Sequence, residues 1–200
     1  MLIWLVLIPL IAAALIGLCK APARPTALLS ASLTLALGIW ALVSFDGCSS
    51  CWSRFEGMDL QLTLAPALSK VMLLLTILVT FATVLGTNPP QGGEASWYNS
   101  ALLISAGATG AFLSDNIISF FAFHELALIP TFVMIGLYGR GDRRTTAWRA
   151  TLYLGLASMV LLAALLMIGT QAGFTFSGLK YFMAGGRELA HAELIGALLI

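Results

Sequence analysis

The stretch from Ser114 to Gly139 reads SDNIISFFAFHELALIPTFVMIGLYG. It is apolar enough, and with its 26 residues long enough, to cross a bilayer as a helix, which needs about 20 residues. One carboxylate, Glu125, lies near its middle. An ionised carboxylate at bilayer depth costs about 2.5–3.5 kcal/mol on insertion scales, so Glu125 must face protein or water. Glu125 is therefore the first candidate for a functional residue.

Five positions after Glu125, Pro130 removes a backbone hydrogen bond and predicts a kink in this helix. The residues on the same helical face as Glu125 are all apolar, so any partner of the carboxylate must lie on another helix. A buried acid beside a break in the helical hydrogen bonds is typical of a proton or ion path. The alternative is that Glu125 only ties two helices together by hydrogen bonding.

The composition indicates a membrane protein. Of the 200 residues, 60% are hydrophobic and only 10% are charged, whereas soluble domains carry about 25% charged residues. We therefore expect an all-α, polytopic transmembrane helix bundle in contact with the lipid bilayer. The formal net charge of +1 argues against a nucleic-acid partner. The first apolar segment has no basic start and no small-residue cleavage site, so it is expected to remain as a helix.

The apolar runs predict about six complete spans and the start of a seventh, in a single membrane domain over residues 1–200. The six are Leu2–Leu18, Thr26–Phe45, Leu64–Leu85, Trp97–Leu113, the Glu125 helix and Ala147–Thr170. Between them, Asp46–Thr63 is interpreted as polar and irregular, and Gln171–Glu193 as an amphipathic or loop stretch. Leu194–Ile200 is too short to span a bilayer. We therefore expect the natural chain to continue beyond Ile200.

Two further titratable side chains are candidates near the Glu125 path. His124 is adjacent to Glu125, but consecutive helical residues point about 100° apart, so the two do not face each other. His124 is either a second titrating relay group or a simple hydrogen-bond donor to a neighbouring helix. Lys70, about two turns inside the third helix, either extends its ammonium group to the membrane surface or pairs with a carboxylate inside the bundle.

Polar and small residues suggest how the fifth and sixth helices are held. Asp115 and Asn116 precede the Glu125 helix and are interpreted as its amino-terminal cap. Thr151, Gly155 and Ser158 recur at helical spacing, which favours a helix-packing stripe.

Two cysteines, Cys48 and Cys51, form the sequence CSSC in a polar loop. A redox role would need a thioredoxin-like setting that the sequence lacks, and a zinc site would need two more ligands. A local structural disulfide is the favoured reading, with unpaired thiols as the next alternative. We predict no metal site here.

The stretch FLSDNIISFFAFHELALIPTFVMIGLYG resembles the fifth-helix signature of the antiporter-like subunits of respiratory complex I (NADH-quinone oxidoreductase), in particular the subunit M type. That signature is a Phe-rich apolar segment, then an aromatic residue, Glu, two or three apolar residues and Pro. The opening MLIWLVLIPLIAAAL and the segment RRTTAWRATLYLGLASMVLLAALLMIG resemble the first and sixth helices of these subunits. The resemblance is strongest from about Phe112 to Gly178.

The resemblance implies a role for Glu125 as the residue that carries protons, paired in the family with a Lys on the seventh helix, which would lie beyond Ile200. The family bundles have about fourteen helices, so this chain corresponds to the amino-terminal half. The family usually has Trp before the Glu, and this chain has His124. The subunit itself is implied to bind no redox cofactor, while the complex uses NADH and quinone. Its implied partners are other membrane-arm subunits in the bacterial inner membrane.

Related subunits with a similar fifth helix occur in multisubunit sodium/proton antiporters and in membrane-bound hydrogenases. These remain alternatives for the function. A non-catalytic membrane scaffold, with Glu125 as a helix tie, is a further alternative from a different class.

The basic residues predict the orientation in the membrane. One side holds Lys20 and Arg24 in the first loop and, in the fifth, the cluster Arg140, Arg143, Arg144 and Arg149. The other side holds fewer basic residues together with several acidic ones: Arg54, Lys180, Arg187, Asp46, Glu56, Asp59, Asp115 and Glu188, with Lys70 near the membrane edge. Because basic loops tend to stay in the cytoplasm, we predict an external amino terminus and an external CSSC loop.

The orientation predicts where the cysteines of the CSSC loop are accessible. After reduction, a membrane-impermeant thiol reagent added to intact cells should label Cys48 or Cys51, because this loop is on the opposite side from the basic cluster. Labelling that occurs only in inverted vesicles would contradict the predicted orientation.

Overall fold

The computed structural model describes residues 2–44, 49–55, 58–64, 67–89, 92–184 and 192–199. Within these ranges the chain forms a helix bundle with one β-hairpin. In chain order the elements are α1 Leu2–Cys19, α2 Ala23–Ser44, β1 Ser49–Phe55, β2 Met58–Thr63, α3 Ala67–Gly86, α4 Glu94–Leu113, α5 Ile117–Tyr138, α6 Arg143–Ala172, α7 Phe176–Ala184 and α8 Ala192–Leu199. The expected transmembrane helix bundle is confirmed.

Five of these helices, α1, α2, α3, α5 and α6, are long and apolar enough to cross a membrane. The fourth expected span is present as α4, which is more polar than the others. Eleven of its 20 residues are buried, and it packs against α1, α2, α3 and α5. A helix that is surrounded by protein faces little lipid and so tolerates Ser, Thr and Gly. The start of the expected seventh helix is α8.

α4 and α5 lie very close together because α4 presents glycines at their contact. A Cβ atom on Gly107 would lie 2.8 Å from the Phe123 backbone oxygen and 2.9 Å from the Ala127 backbone nitrogen. A Cβ atom on Gly110 would collide with the Phe123 ring. These distances are below van der Waals contact, so only glycine fits at both positions. Small residues at such a contact let two helix backbones approach closely.

The stretch interpreted as irregular contains an antiparallel hairpin of β1 and β2, with Ser49 paired to Thr63. The sequence does contain a signal for a strand, since LQLTL at residues 60–64 alternates apolar and polar residues. The second and third leucines of this run, Leu62 and Leu64, are fully buried. They pack in a cluster with Leu2, Leu5 and Leu73 and other apolar residues. The hairpin therefore covers one end of the bundle.

The three-residue connection between α4 and α5 lies between this hairpin and the start of α7 and pairs with both through isolated β-bridges. Ser114 bridges to Leu62, and Asn116 bridges to Thr175. The Asn116 side chain accepts hydrogen bonds from the backbone of Ile118 at 2.8 Å and Ser119 at 3.4 Å. Asn116 is therefore the cap of α5.

The interpretation of Asp115 as a cap of the same helix was wrong. Its carboxylate accepts a hydrogen bond from the Ser177 backbone at 3.1 Å, and the Ser177 hydroxyl donates to its two oxygens at 2.9 and 2.8 Å. Its carbonyl accepts from the Phe176 N–H at 2.8 Å. Asp115 thus caps the first turn of α7, where negative charge is favourable at a helix amino terminus. The connection before α5 is fixed by a residue 62 positions away.

The opposite end of the bundle holds the α5–α6 connection and the basic cluster. The Tyr138 hydroxyl donates to the Gly93 carbonyl, which ties the end of α5 to the start of α4. α6 begins at Arg143, earlier than expected, because Asp142 caps it by accepting from the Thr145 N–H at 3.3 Å. Hydrogen bonds from Thr145 hold the pKa of Asp142 below its usual 3.8. The bond from the Thr145 side chain has the larger effect and the bond from its backbone the smaller one. Since the folded pKa is lowered, this cap contributes stability above pH 3.8, and the contribution is lost as the pH falls through the folded value.

The Asp115–Ser177 contact predicts a measurable loss of stability. Asp115→Ala should lower the free energy of unfolding by about 1.5–3 kcal/mol, because a buried, charge-assisted hydrogen-bond pair is removed. The measurement is SDS denaturation of the purified protein in micelles. Combining it with Ser177→Ala should add little further loss, since both variants remove the same bonds. Fully additive losses would contradict a direct contact.

Candidate functional site

Glu125 lies near the middle of α5, eight residues after the helix begins at Ile117, and is partly buried. The helix continues through Pro130, which is buried. Because proline has no N–H, the carbonyl of Leu126 lacks its usual helical donor. One residue after the proline, the Thr131 hydroxyl donates to the Ala127 carbonyl at 2.8 Å, which adds a hydrogen bond beside the break. Pro130 is thus accommodated without ending the helix, and the expected kink stays a prediction.

The Glu125 carboxylate has an unsatisfied oxygen. Its Oε1 atom is buried and has no hydrogen-bond partner among the described residues. Buried polar atoms in proteins nearly always have such a partner, in the protein or in ordered water. An exception at a carboxylate is a functional-site signal, because leaving the atom without a partner is costly.

Glu125 lines a cavity of about 170 Å³ between α5 and α6. The α5 wall consists of Glu125, Leu128, Ile129, Phe132 and Ile135, and the α6 wall of Ala150, Thr151, Leu154 and Gly155. Thr151 is the only other polar side chain among these residues. The carboxylate therefore borders an otherwise apolar space.

His124 lies on a different side of α5 from this cavity. Its ring stacks beside Phe120 and Phe121, with centroids 6.2 and 6.4 Å apart. Phe120 in turn meets Phe176 of α7 edge-on at 5.8 Å. The Nδ1 atom of His124 is buried and, like Glu125 Oε1, has no hydrogen-bond partner within the described ranges. The structure therefore shows no hydrogen bond between these two atoms.

Lys70 is half-buried in the first turn of α3. It was expected about two turns inside the helix, but α3 begins only at Ala67, so the lysine lies at the helix end. That is the end covered by the hairpin. Cys48 lies outside the described residues, and so does the expected disulfide between Cys48 and Cys51.

Sequence reasoning missed the α6 side of the site. Thr151 and Gly155 were assigned to a packing stripe, whereas both line the cavity. A Cβ atom built on Gly155 meets no heavy atom within 4 Å, so no described neighbour packs against this glycine. Ser158, the third residue of the stripe, is buried and donates to the Gly155 carbonyl at 3.0 Å. A polar and a small residue four positions apart indicate a helix face, but not whether that face is packed or open.

Residues 114–200, which include α5, α6, α7 and α8, match the family model described as NADH:quinone oxidoreductase/Mrp antiporter, TM. This segment is 87 of the 200 residues. Both Glu125 and the cavity wall on α6 lie within it. The resemblance of the Glu125 stretch to antiporter-like subunits of complex I is therefore confirmed.

Similar proteins agree with this assignment. NADH-quinone oxidoreductase subunit M from Pseudomonas aeruginosa is 29% identical over 188 residues, covering 82% of this chain and 37% of the relative. A chain of respiratory complex I from Thermus thermophilus superposes with a TM-score of 0.77 at 26% identity, covering 90% of this chain and 38% of that one. A chain of the Mrp complex from Dietzia shares the fold, with a TM-score of 0.78 at 21% identity over 98% of this chain and 22% of its own length. This chain spans 19–34% of the length of several other curated relatives.

Proposed function

We propose that this chain is part of a proton-translocating, antiporter-like membrane subunit of NADH-quinone oxidoreductase, and that Glu125 takes up and releases the proton. The observation that supports this most is the buried Glu125 Oε1 atom in mid-helix, which has no partner among the described residues. Glu125 lines a cavity within the segment that matches the family model. A carboxylate used only to tie helices would be expected to make a hydrogen bond to another helix. Glu125 Oε1 makes none among the described residues.

The proposed mechanism is an electrostatic switch. An ionised Glu125 at bilayer depth is stable only if a cation or water compensates its charge. When a nearby cation approaches, Glu125 releases its proton, and when the cation withdraws, Glu125 takes one up. The two states form a bistable pair that a conformational change elsewhere can bias. The subunit makes and breaks no covalent bonds other than those to the proton.

The rest of the complex supplies the driving reaction in this proposal. The subunit binds no redox cofactor itself, and NADH and quinone are used by other parts of the complex. Its partners are other membrane-arm subunits, which is supported by the multisubunit complexes in which the similar structures occur. The site of action is the bacterial inner membrane. The Arg140–Arg149 region then faces the cytoplasm and the amino terminus the outside.

A multisubunit sodium/proton antiporter is the alternative function. The matching family model covers both kinds of protein, and the Dietzia Mrp chain shares the fold. The two proposals differ in what drives proton movement. Proton uptake that requires electron transfer to quinone supports the oxidoreductase, whereas proton movement that requires only a sodium gradient supports the antiporter.

Replacing Glu125 separates its charge from its role in packing. Glu125→Gln keeps the shape and most hydrogen bonding but cannot ionise. The variant complex should assemble. NADH-driven proton uptake into inverted vesicles should fall by roughly a hundredfold or more, since a hundredfold is the lower end of what a positioned proton-transfer group contributes. Ser119→Ala, on the same helix, should pump normally. Normal pumping by an assembled Glu125→Gln complex would favour a scaffold instead.

His124 is proposed as a second proton-relay group on α5, because its Nδ1 atom is buried and has no hydrogen-bond partner in the part of the chain that the structure describes. His124→Phe keeps an aromatic ring beside Phe120 and Phe121 but cannot hold a proton. We expect slower proton uptake at unchanged assembly, with a smaller loss than for Glu125→Gln. The measurement is the initial rate of uptake in the same vesicles. A wild-type rate would mean that His124 only fills the space between its aromatic neighbours.

A further inference from the structure

A cavity of about 590 Å³ lies between the end of α1 and the start of α4, and it shares no lining residue with the cavity between α5 and α6. Lys20, Glu94, Ser96 and Asn99 provide its polar lining, and small or apolar residues provide the rest. Because α1 ends and α4 begins here, the cavity lies where two long helices reach the end of the bundle. In a bilayer that is the level of the lipid headgroups.

Opposite charges line this cavity without neutralising each other. The Lys20 ammonium group and the Glu94 carboxylate both belong to exposed residues. In the part of the chain that the structure describes, no ion pair joins them to each other or to a further residue. Each can therefore bind a group of the opposite charge. A ligand that satisfies both must carry an anion and a cation within one small group.

The backbone at Lys20 is left-handed, with a φ angle of 51°. That conformation is usual for glycine just after a helix and is unfavourable for a residue with a side chain. Among the residues that the structure describes, Lys20 is the only one other than glycine with a positive φ angle. A cation is favourable at the carboxyl end of a helix. The lysine after α1 is therefore explained by its side-chain charge and not by the backbone.

α4 begins at this cavity without a side-chain cap. Gly93 precedes the helix and makes no capping hydrogen bond from a side chain, so the first N–H groups of α4 lack that partner. The Tyr138 hydroxyl holds this start in place by donating to the Gly93 carbonyl. Uncapped helix starts bind phosphate groups through their N–H groups and the helix dipole. Together with Lys20 they form a site for an anion, with Glu94 beside it.

Asn99 lies deeper in the cavity, five residues after Glu94, or roughly 7.5 Å along the axis of α4. Its amide approaches α1 because Gly17 has no side chain, and a Cβ atom there would lie 3.2 Å from the Asn99 Nδ2 atom. The Oδ1 atom is buried and has no hydrogen-bond partner within the described ranges. Rotation about the Cβ–Cγ bond exchanges the two ends of the amide. Since buried polar atoms nearly always have a partner, a donor on a ligand in the cavity would satisfy this oxygen.

We propose that this cavity binds the headgroup of a phospholipid that carries both a phosphate and a primary ammonium group, as phosphatidylethanolamine does. The phosphate binds the Lys20 ammonium group and the start of α4, and the lipid ammonium group donates to the Glu94 carboxylate and to Asn99. The acyl chains continue into the bilayer. A purely anionic headgroup would leave Glu94 unpaired beside a second negative charge. The site is separate from Glu125 and does not rest on the function proposed for it.

Photo-crosslinking identifies the occupant in the assembled complex. Ala95, an exposed residue of the lining, is replaced by p-benzoylphenylalanine, and the complex is irradiated in vesicles of equal amounts of phosphatidylethanolamine and phosphatidylglycerol. Mass spectrometry then weighs the adducts. We expect the phosphatidylethanolamine adduct to exceed the other by roughly fivefold, as for one additional hydrogen bond to a charged group. The same probe at Leu29, exposed on α2, should show no preference.

Substitutions at Lys20 separate its charge from its backbone. Lys20→Gly suits the left-handed conformation and removes the ammonium group, so the complex should assemble while the phosphatidylethanolamine adduct falls by roughly fivefold. Lys20→Arg should keep the adduct. The matched control is Arg24→Ala, which removes an exposed positive charge at the same end of the bundle but outside the cavity. A loss in Arg24→Ala as large as in Lys20→Gly would mean a general attraction of lipid to basic residues and would overturn the site.

Substitutions of the two acceptors test the recognition of the ammonium group. Glu94→Gln should remove the preference for phosphatidylethanolamine over phosphatidylglycerol, because the charge that disfavours an anionic headgroup is lost. Asn99→Leu keeps the size but removes the amide, and it should lower the phosphatidylethanolamine adduct by roughly fivefold. An unchanged preference in both variants would overturn the proposal.

The source of the headgroup is tested by competition. Glycerophosphoethanolamine carries the same phosphate and ammonium groups without acyl chains, and at millimolar concentration it should leave the lipid adduct at position 95 unchanged. Displacement would assign the cavity to a soluble phosphate ester. A polypeptide adduct, no lipid adduct, or equal adducts of the two lipids in the otherwise unchanged chain would also overturn the proposal. Neither an active nor an inactive Glu125→Gln complex alters these expectations, so this proposal and the proposed function can fail separately.

Discussion

The close contact between α4 and α5 fixes the geometry of the site. Gly107 and Gly110 let the backbone of α5 approach α4 at distances that no side chain permits. Because that face of α5 is pressed against α4, the residues on its other side are directed toward α6. Glu125 therefore borders the α5–α6 cavity and not the buried interior around α4. Only two of the 22 residues of α5 are buried, against 11 of 20 in α4.

The hydrophobic pattern was sufficient to predict the helices and to single out Glu125. Each predicted span overlaps an observed helix, because a long and mostly apolar segment has few other stable structures in a bilayer. Glu125 stood out because a charge is rare in such a segment. The hairpin at residues 49–63 was missed because it was judged by its polarity and not by the alternation around Leu62. The hydrogen bonds between Asp115 and Ser177 could not be predicted, since Ser177 is distant in the sequence. The position of Asp115 just before α5 favoured the interpretation that it caps α5.

The cavity could not be predicted for a different reason. Thr151 and Gly155 have the same spacing whether they pack against a neighbouring helix or line an open space. The choice depends on how far α6 lies from α5, which is set by other contacts, such as the edge-on packing of Phe132 against Trp148 at 6.0 Å. Sequence periodicity therefore identifies the face of a helix, and only the fold determines what that face meets.

The two helices that form the walls of the site are held in different ways. α5 is fixed along α4 by the glycine contacts. At its start it is held by the Asn116 cap and by the β-bridge of Asn116 to Thr175, and at its end by the Tyr138 hydroxyl. α6 contacts it across a cavity and exposes much of its own surface, including Trp148, Leu152 and Leu156. A shift of α6 relative to α5 would change the cavity, whereas a shift of α5 would have to break its close contacts with α4. We therefore expect a conformational change that alters access to Glu125 to move α6 and leave the carboxylate in place.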